Sequence, residues 1–282
     1  MDTALAVLAA LVATWFAVEL GRSYLSRRRF HAGVWAAALG LFAAASLSLA
    51  VGLGFGWDQA DFRLFYLLGG IANIPLLAAG SVALVVGDTA GRRFKDGVVV
   101  FAILGAIVTL AAPISGTFPG EGVPEGSELF AFTIEMGGVT VPGPRVFAII
   151  AGAVGTVVVV GLALMSAWRF RRSNRRLAGG NLLITAGALA PAFGGTLTAI
   201  GEGSGFALSL LVGVVLLYAG YRLATSGRRA ATPAAAAAGG PGPAEHELVR
   251  RPQPVAVPPP PSDDPVRADR QHDLPRPRRT VN

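Results

Sequence analysis

The chain has 282 residues, 52% of them hydrophobic, with a mean hydropathy of +0.56 and a formal net charge of +7. This is more apolar surface than one soluble core of this size can bury, which excludes an ordinary water-soluble domain. The absence of cysteine also excludes disulfides, thiolate nucleophiles and cysteine–metal sites.

Seven apolar runs are long enough to cross a membrane, because a helix needs about 20 residues to span a hydrocarbon core of about 30 Å. They predict helices at 3–21, 32–54, 63–86, 97–114, 145–168, 180–200 and 205–224. The first run carries Asp2 where a secretion signal needs positive charge, so we interpret it as an uncleaved span. The predicted fold is all-α, a polytopic seven-helix transmembrane domain over 1–224.

Basic connections alternate with acidic or nearly neutral ones along the chain. Arginines follow the first, third and fifth spans, and we expect nine of them to set the topology and lie against lipid headgroups: Arg27, Arg28, Arg29, Arg92, Arg93, Arg171, Arg172, Arg175 and Arg176. Because positively charged loops stay in the cytoplasm, the N-terminus is predicted outside and the C-terminus inside. The arginine-rich, nearly lysine-free composition is typical of a GC-rich bacterium, so the predicted location is the bacterial plasma membrane.

Two segments outside the spans have their own composition. In the connection 115–144, Phe130, Phe132 and Ile134 alternate with other residues before Gly137-Gly138, which predicts a small β-hairpin on the outer face; a loosely ordered loop is the alternative. The segment 225–282 is rich in proline and arginine and has no apolar periodicity, which predicts a disordered cytoplasmic tail. We expect the tail to recruit a cytoplasmic protein, an inert extension being the alternative.

The third span contains an asparagine and a proline within an apolar run, "YLLGGIANIPLLAAG". Pro75 cannot donate a helix hydrogen bond, so a kink is expected there, and Asn73 is expected to point into the bundle. Structurally, the two residues would join helices and bend one of them. Functionally, they would mark a polar pocket or pathway near the middle of the membrane, with Pro191 of the sixth span as the counterpart.

Further candidates lie near these residues or share small size on a helix face. The outer ends of the second and third spans supply candidate ligand or pathway residues: Tyr66, Asp58 and Asp61. Five glycines are expected to serve helix packing: Gly69, Gly80, Gly40, Gly187 and Gly195. Glu19, three residues before Arg22, is interpreted as half of a local ion pair or as a side chain that reaches the membrane interface, and an intramembrane acid with a transport role is the alternative.

Catalytic chemistry finds little support in the sequence. His31 is the only histidine before the tail, so zinc sites and histidine-dependent hydrolases lack their side chains. We therefore predict a non-enzymatic protein without metal or cofactor. The arginine clusters are explained by topology, so we expect the partner to be the lipid bilayer and not nucleic acid.

The stretch "FRLFYLLGGIANIPLLAAGSVALV" at 62–85, with "RRRFHAGVWAAALGLFAAASLSLA" before it, resembles uncharacterised seven-span integral membrane proteins of actinobacteria. The layout is also similar to seven-span sensory modules that precede bacterial signalling domains, although no such domain follows the seventh span here. The resemblance implies no functional residues. The predicted function is a sensor-like or scaffolding membrane component, and the alternative is a small-solute or ion carrier using the region of Asn73, Pro75 and Pro191.

Overall fold

A computed structural model describes residues 1–120, 122–199 and 205–238 of the chain, and Met1–Thr232 forms one compact unit that contains every contact discussed below. The described residues include seven helices long and apolar enough to cross a membrane, which confirms the predicted number of spans. The spans are α1 (Asp2–Arg27), α2 (Phe30–Phe55), a third span made of α3 (Gln59–Phe65), a π-helical segment π1 (Tyr66–Asn73) and α4 (Ile74–Val85), then α5 (Asp88–Ala111), α7 (Pro144–Phe170), α8 (Arg175–Ala199) and α9 (Gly205–Ala238). A short helix α6 (Gly126–Leu129) and strands β1 (Thr133–Met136) and β2 (Val139–Pro142) lie between α5 and α7.

Some helices extend well beyond the apolar runs that predicted them. Helix α5 begins at Asp88 and not near residue 97, so Arg92 and Arg93 belong to its first turns and not to a loop. Helix α9 continues to Ala238, although 225–238 was predicted to be part of a disordered tail. The alanine run at 234–238 favours the last part of this extension, because alanine has the highest helix propensity of all residues. The rest of the predicted tail, 239–282, lies outside the described residues.

The third span is irregular where a simple kink was expected. Its middle, Tyr66–Asn73, is π-helical, and α-helical geometry resumes at Ile74 with Pro75 in the first turn. Proline suits that position because it has no N–H to donate and its fixed φ favours a helix start. The third span therefore accommodates Pro75 through the wider, π-helical turns that precede it. Such widened segments are rare and often occur at functional sites.

The spans other than α5 form a closed ring. Helix α1 packs along α2, α2 packs on the third span, the third span packs on α7, and α7 packs on α8. Phe16 of α1 closes the ring against Tyr218 of α9, with ring centroids 5.2 Å apart. Helix α5 lies outside the ring against α4 and α7, and much of its apolar surface is exposed.

Glycines allow the closest helix contacts of the ring. A Cβ built on Gly187 would lie 2.7 Å from the carbonyl oxygen of Gly213 on α9, so this glycine serves packing as predicted. Gly69 and Gly80 both face α2, where added Cβ atoms would contact Ala45 and the Trp35 ring.

The packing prediction is wrong for two of the five glycines. Gly40 is exposed and a Cβ there would meet nothing within 4 Å, because α2 turns its other side towards the neighbouring helices. Gly195 is also exposed and without such a contact.

A folded cap covers one end of the ring. Strands β1 and β2 pair antiparallel from Thr133↔Pro142 to Met136↔Val139, in the segment whose alternation predicted a hairpin. Leu129 and Phe130 are buried beneath it against Phe62 of α3. The Trp57 indole Nε1 donates a hydrogen bond of 2.9 Å to the carbonyl oxygen of Gly122, which ties the loop before α6 to the start of the third span.

Candidate functional site

A cavity of about 500 Å³ occupies the centre of the ring beneath the cap. Its size lies in the range of small-molecule pockets, about 300–1,000 Å³. Five spans contribute to its wall, namely α2, the third span, α7, α8 and α9, and residues 123–127 line its mouth. The wall is mainly aliphatic and aromatic, with glycines where backbone is exposed to the interior.

The π-helical segment supplies one side of this wall through Tyr66, Gly69, Gly70 and Asn73. The two glycines carry no side chain, so backbone forms the wall between the tyrosine and the asparagine. Irregular backbone at membrane depth is tolerated only where it is buried in protein or lines a cavity. The widened turns and the cavity therefore belong together.

Asn73 is the polar residue of the third span that lies deepest in the cavity wall. Its side chain is 9% exposed, lines the cavity and makes no hydrogen bond to any described residue. The amide is not fully enclosed by protein and is open to the cavity. The amide is thus available to donate and accept hydrogen bonds with whatever occupies the cavity.

Ser46 of α2 adds a second unpaired polar atom. The residue is 1% exposed, lines the cavity, and its Oγ has no hydrogen-bond partner among the described residues. Thr156 of α7 also lines the wall. A few polar groups in an otherwise apolar wall are typical of sites that orient a largely apolar small molecule.

Two prolines lie next to this wall and remove helix hydrogen bonds there. Pro191 lines the cavity from within α8, and because it has no N–H, the carbonyl of Gly187 lacks its usual helix donor. Pro75 is buried and does not line the cavity. It lies just after the π-helical segment, which does line the cavity. Both predicted prolines therefore flank the cavity, one directly and one through the backbone it distorts.

The mouth is bounded by the loop that enters α6. Gly126 packs directly on the Tyr66 ring, so the tyrosine supports this loop from below. The Ser127 hydroxyl donates a hydrogen bond of 2.8 Å to the carboxylate of Glu125, and both residues line the cavity. An occupant entering through this end would first meet a carboxylate, a hydroxyl and the phenol of Tyr66.

The opposite end is closed by an apolar floor made of Leu39, Leu77, Val159 and Leu217. The same four side chains bound a second void of only about 10 Å³, about the space of one water molecule. Beyond the floor, the Trp35 indole Nε1 donates a hydrogen bond of 3.1 Å to the carbonyl oxygen of Leu77. In this conformation the cavity is a dead end.

The two predicted aspartates have local structural roles and do not line the cavity. The Asp58 carboxylate accepts a 2.8 Å hydrogen bond from the backbone N–H of Asp61 and so caps α3. The Asp61 carboxylate accepts a hydrogen bond from the Ser48 hydroxyl and connects α3 to α2. Of the three candidate residues at this end, the structure therefore brings only Tyr66 to the cavity wall.

The nine predicted arginines are exposed at the ends of the spans. The Arg92 guanidinium lies 4.3 Å from the ring centroid of Phe30, which places the connection after α1 beside the start of α5. The Arg171 guanidinium lies 3.4 Å from the ring centroid of Trp168. The connection after α1 and the basic first turns of α5 therefore meet at one end of the spans.

Sequence reasoning missed part of the wall. In α7, Ala148, Gly152 and Thr156 line the cavity at a spacing of four residues, a signal that could have identified this face. Ser46 carried no such signal. Ser48, two positions later, has the same side chain but makes a structural hydrogen bond to Asp61, and only the rotation of α2 distinguishes the two serines. Gly69, Gly187 and Gly195 were predicted only as packing residues and also line the cavity.

Comparisons of the chain with models of known families, with curated proteins and with solved structures find no match. The chemical character of the cavity is therefore the main guide to function. Its wall favours a molecule that is mostly apolar and carries one or two hydrogen-bonding groups.

Proposed function

We propose that the chain is a sensor-like, ligand-binding integral membrane protein of the bacterial plasma membrane. Its ligand is a small, mainly apolar molecule with a hydrogen-bonding group that contacts Asn73. The observation that carries the proposal is the dead-end cavity in which this buried amide has no partner among the described residues. An amide that is open to a mainly apolar cavity can hydrogen-bond to a polar group of an occupant.

The orientation of the mouth supports binding from outside the cell. The arginine clusters follow α1, α4 and α7, and positively charged connections stay in the cytoplasm. The loop at 123–127 follows α5 and so lies at the other end of the spans. On this orientation the N-terminus and the cavity mouth face the exterior, and α9 ends in the cytoplasm.

The depth of the cavity supports a ligand held inside the membrane and not at its surface. Asn73 lies near the middle of the third span, Gln59–Val85, and Leu77 in the floor lies about one turn deeper. An apolar ligand would gain little by moving from lipid into an apolar wall. Selectivity would then come from the shape of the wall and from hydrogen bonds to Asn73.

Single-cysteine labelling tests whether the cavity opens outward, and the natural absence of cysteine makes the background clean. A membrane-impermeant maleimide, added from outside to intact cells, should label Thr156→Cys because position 156 lines the cavity. The control Val157→Cys should stay unlabelled: Val157 is 70% exposed on the outer face of α7, where lipid keeps a thiol protonated and unreactive. Equal labelling of both positions, or none at position 156, would refute an outward-opening cavity.

Photolabelling tests the ligand class. An octanol carrying a diazirine has an apolar chain and one hydroxyl, as the wall requires, and should attach to cavity residues in purified protein reconstituted in nanodiscs. Excess octanol should compete, and Asn73→Leu should reduce attachment by about fivefold, the loss of about 1 kcal/mol for one hydrogen bond. Attachment that is unchanged in Asn73→Leu would contradict the role of this amide.

A small-solute or ion carrier is the second candidate, favoured by the two prolines beside the cavity and by a floor of only four side chains. A carrier would have to open this floor to the cytoplasm. Reconstituted protein should then move solutes across vesicles, and Asn73→Leu should abolish the flux. Binding without flux would support the sensor, and flux that depends on Asn73 would support the carrier.

A further inference from the structure

At the end of the ring opposite the cap, α1 and α9 form an open groove of about 800 Å³ that is separate from the cavity. Its lining is arranged by polarity along α1. Trp15 and Val18 lie deepest in the span, and beyond them come Glu19 and Arg22. Four arginines line the groove, Arg22, Arg27, Arg29 and Arg222.

The single carboxylate of the groove is already engaged. Glu19 Oε2 accepts a 3.0 Å hydrogen bond from the Tyr218 hydroxyl and lies 3.9 Å from Nη1 of Arg222. Glu19 thus pairs with an arginine of α9, and not with Arg22 of its own helix as expected. Among the described residues, Arg22, Arg27 and Arg29 have no carboxylate within 4.0 Å. The groove therefore keeps uncompensated positive charge at its arginine-rich end, where α1 ends.

The apolar end of the groove continues onto exposed apolar surface. Trp15 is 66% exposed, and Leu11, one turn further from the arginines, is 61% exposed. From Trp15 to Ser26 the groove extends about 16 Å, at a rise of about 1.5 Å per residue. That length is close to the hydrocarbon thickness of one leaflet, about half of 30 Å.

We propose that this groove binds one anionic phospholipid, with its phosphate among Arg22, Arg27 and Arg29 and its acyl chains along Val18, Trp15 and Leu11. The positive charge is complementary to the headgroup, and the gradient from arginine to tryptophan matches the gradient within a lipid leaflet. A free phosphate would use only the arginines and would leave the apolar end empty, so the lipid is the occupant that fits the whole groove.

Native mass spectrometry of the full chain, released from detergent with defined lipids, tests the proposal. Wild-type protein should retain phosphatidylglycerol in preference to phosphatidylcholine. The double variant Arg22→Gln/Arg29→Gln should bind phosphatidylglycerol about 25-fold more weakly, because each arginine near an anionic lipid contributes about 1 kcal/mol, or about fivefold.

A matched control separates the groove from general surface charge. Lys95→Gln/Arg169→Gln removes the same charge from two residues at the same end of the spans that do not line the groove. It should retain phosphatidylglycerol as the wild type does. Equal losses in the two double variants, equal retention of both lipids, or displacement of phosphatidylglycerol by inorganic phosphate would each overturn the assignment.

Discussion

Replacing Asn73 with leucine should make the protein more stable while weakening ligand binding. Leucine has the same branched outline as asparagine but no polar atoms. Asn73 is 9% exposed and has no side-chain hydrogen bond within the described chain, so the substitution removes an unsatisfied group and its cost of about 1–3 kcal/mol. Water in the cavity would satisfy part of the amide, which favours the lower end of that range.

The structure provides a control in Asn181 of α8, whose amide nitrogen makes two hydrogen bonds. Its Nδ2 donates 3.0 Å hydrogen bonds to the Ser166 hydroxyl of α7 and to the carbonyl oxygen of Leu177. Asn181→Leu should therefore cost about 1 kcal/mol, the typical value of one interhelical hydrogen bond in a membrane protein. The two asparagines should respond in opposite directions.

Thermal unfolding in nanodiscs, followed by tryptophan fluorescence, measures both effects. For a chain of this size about 1 kcal/mol corresponds to a shift of about 2–4 °C in the unfolding midpoint, upward for Asn73→Leu and downward for Asn181→Leu. If Asn73→Leu instead lowers the midpoint as much as Asn181→Leu does, Asn73 joins helices and the reasoning that assigns it to a ligand is refuted.

Three further predictions concern packing, the cap and the C-terminal segment. Gly180→Ala should destabilise the protein by about 1–3 kcal/mol in denaturation experiments, because a Cβ there would lie 2.7 Å from a backbone oxygen of α9. The control Gly161→Ala should not destabilise it, because a Cβ at position 161 would meet nothing within 4 Å. Equal effects of the two variants would contradict the packing argument. Trp57→Phe removes the hydrogen bond to the outer loop and should speed proteolysis of that loop, whereas Trp168→Phe should leave it unchanged. Deleting 239–282 should abolish capture of a cytoplasmic partner without affecting membrane insertion, and an identical set of captured proteins would show that the segment is not the recruiting element.

Most of the architecture could be predicted because it depends on local composition. A membrane span must bring about 20 apolar residues into lipid, so seven runs of that length predict seven helices. The hairpin strands at Thr133–Met136 and Val139–Pro142 lie where alternation and Gly137-Gly138 indicated them. Helix ends were less predictable. Hydropathy falls at the membrane surface, but backbone hydrogen bonds continue through Arg92 and Arg93, and α5 starts before its apolar run.

The sequence by itself determined that the chain has seven segments long and apolar enough to cross a membrane, and that Asn73, Pro75 and Pro191 are unusual within them. Only the tertiary structure decided what these residues do, because that depends on the rotation of each helix and on its neighbours. Gly40 and Gly69 look alike in sequence, yet one faces outward and the other contacts α2. In the same way, an asparagine that could have joined two helices proves to be unpaired at the wall of a cavity.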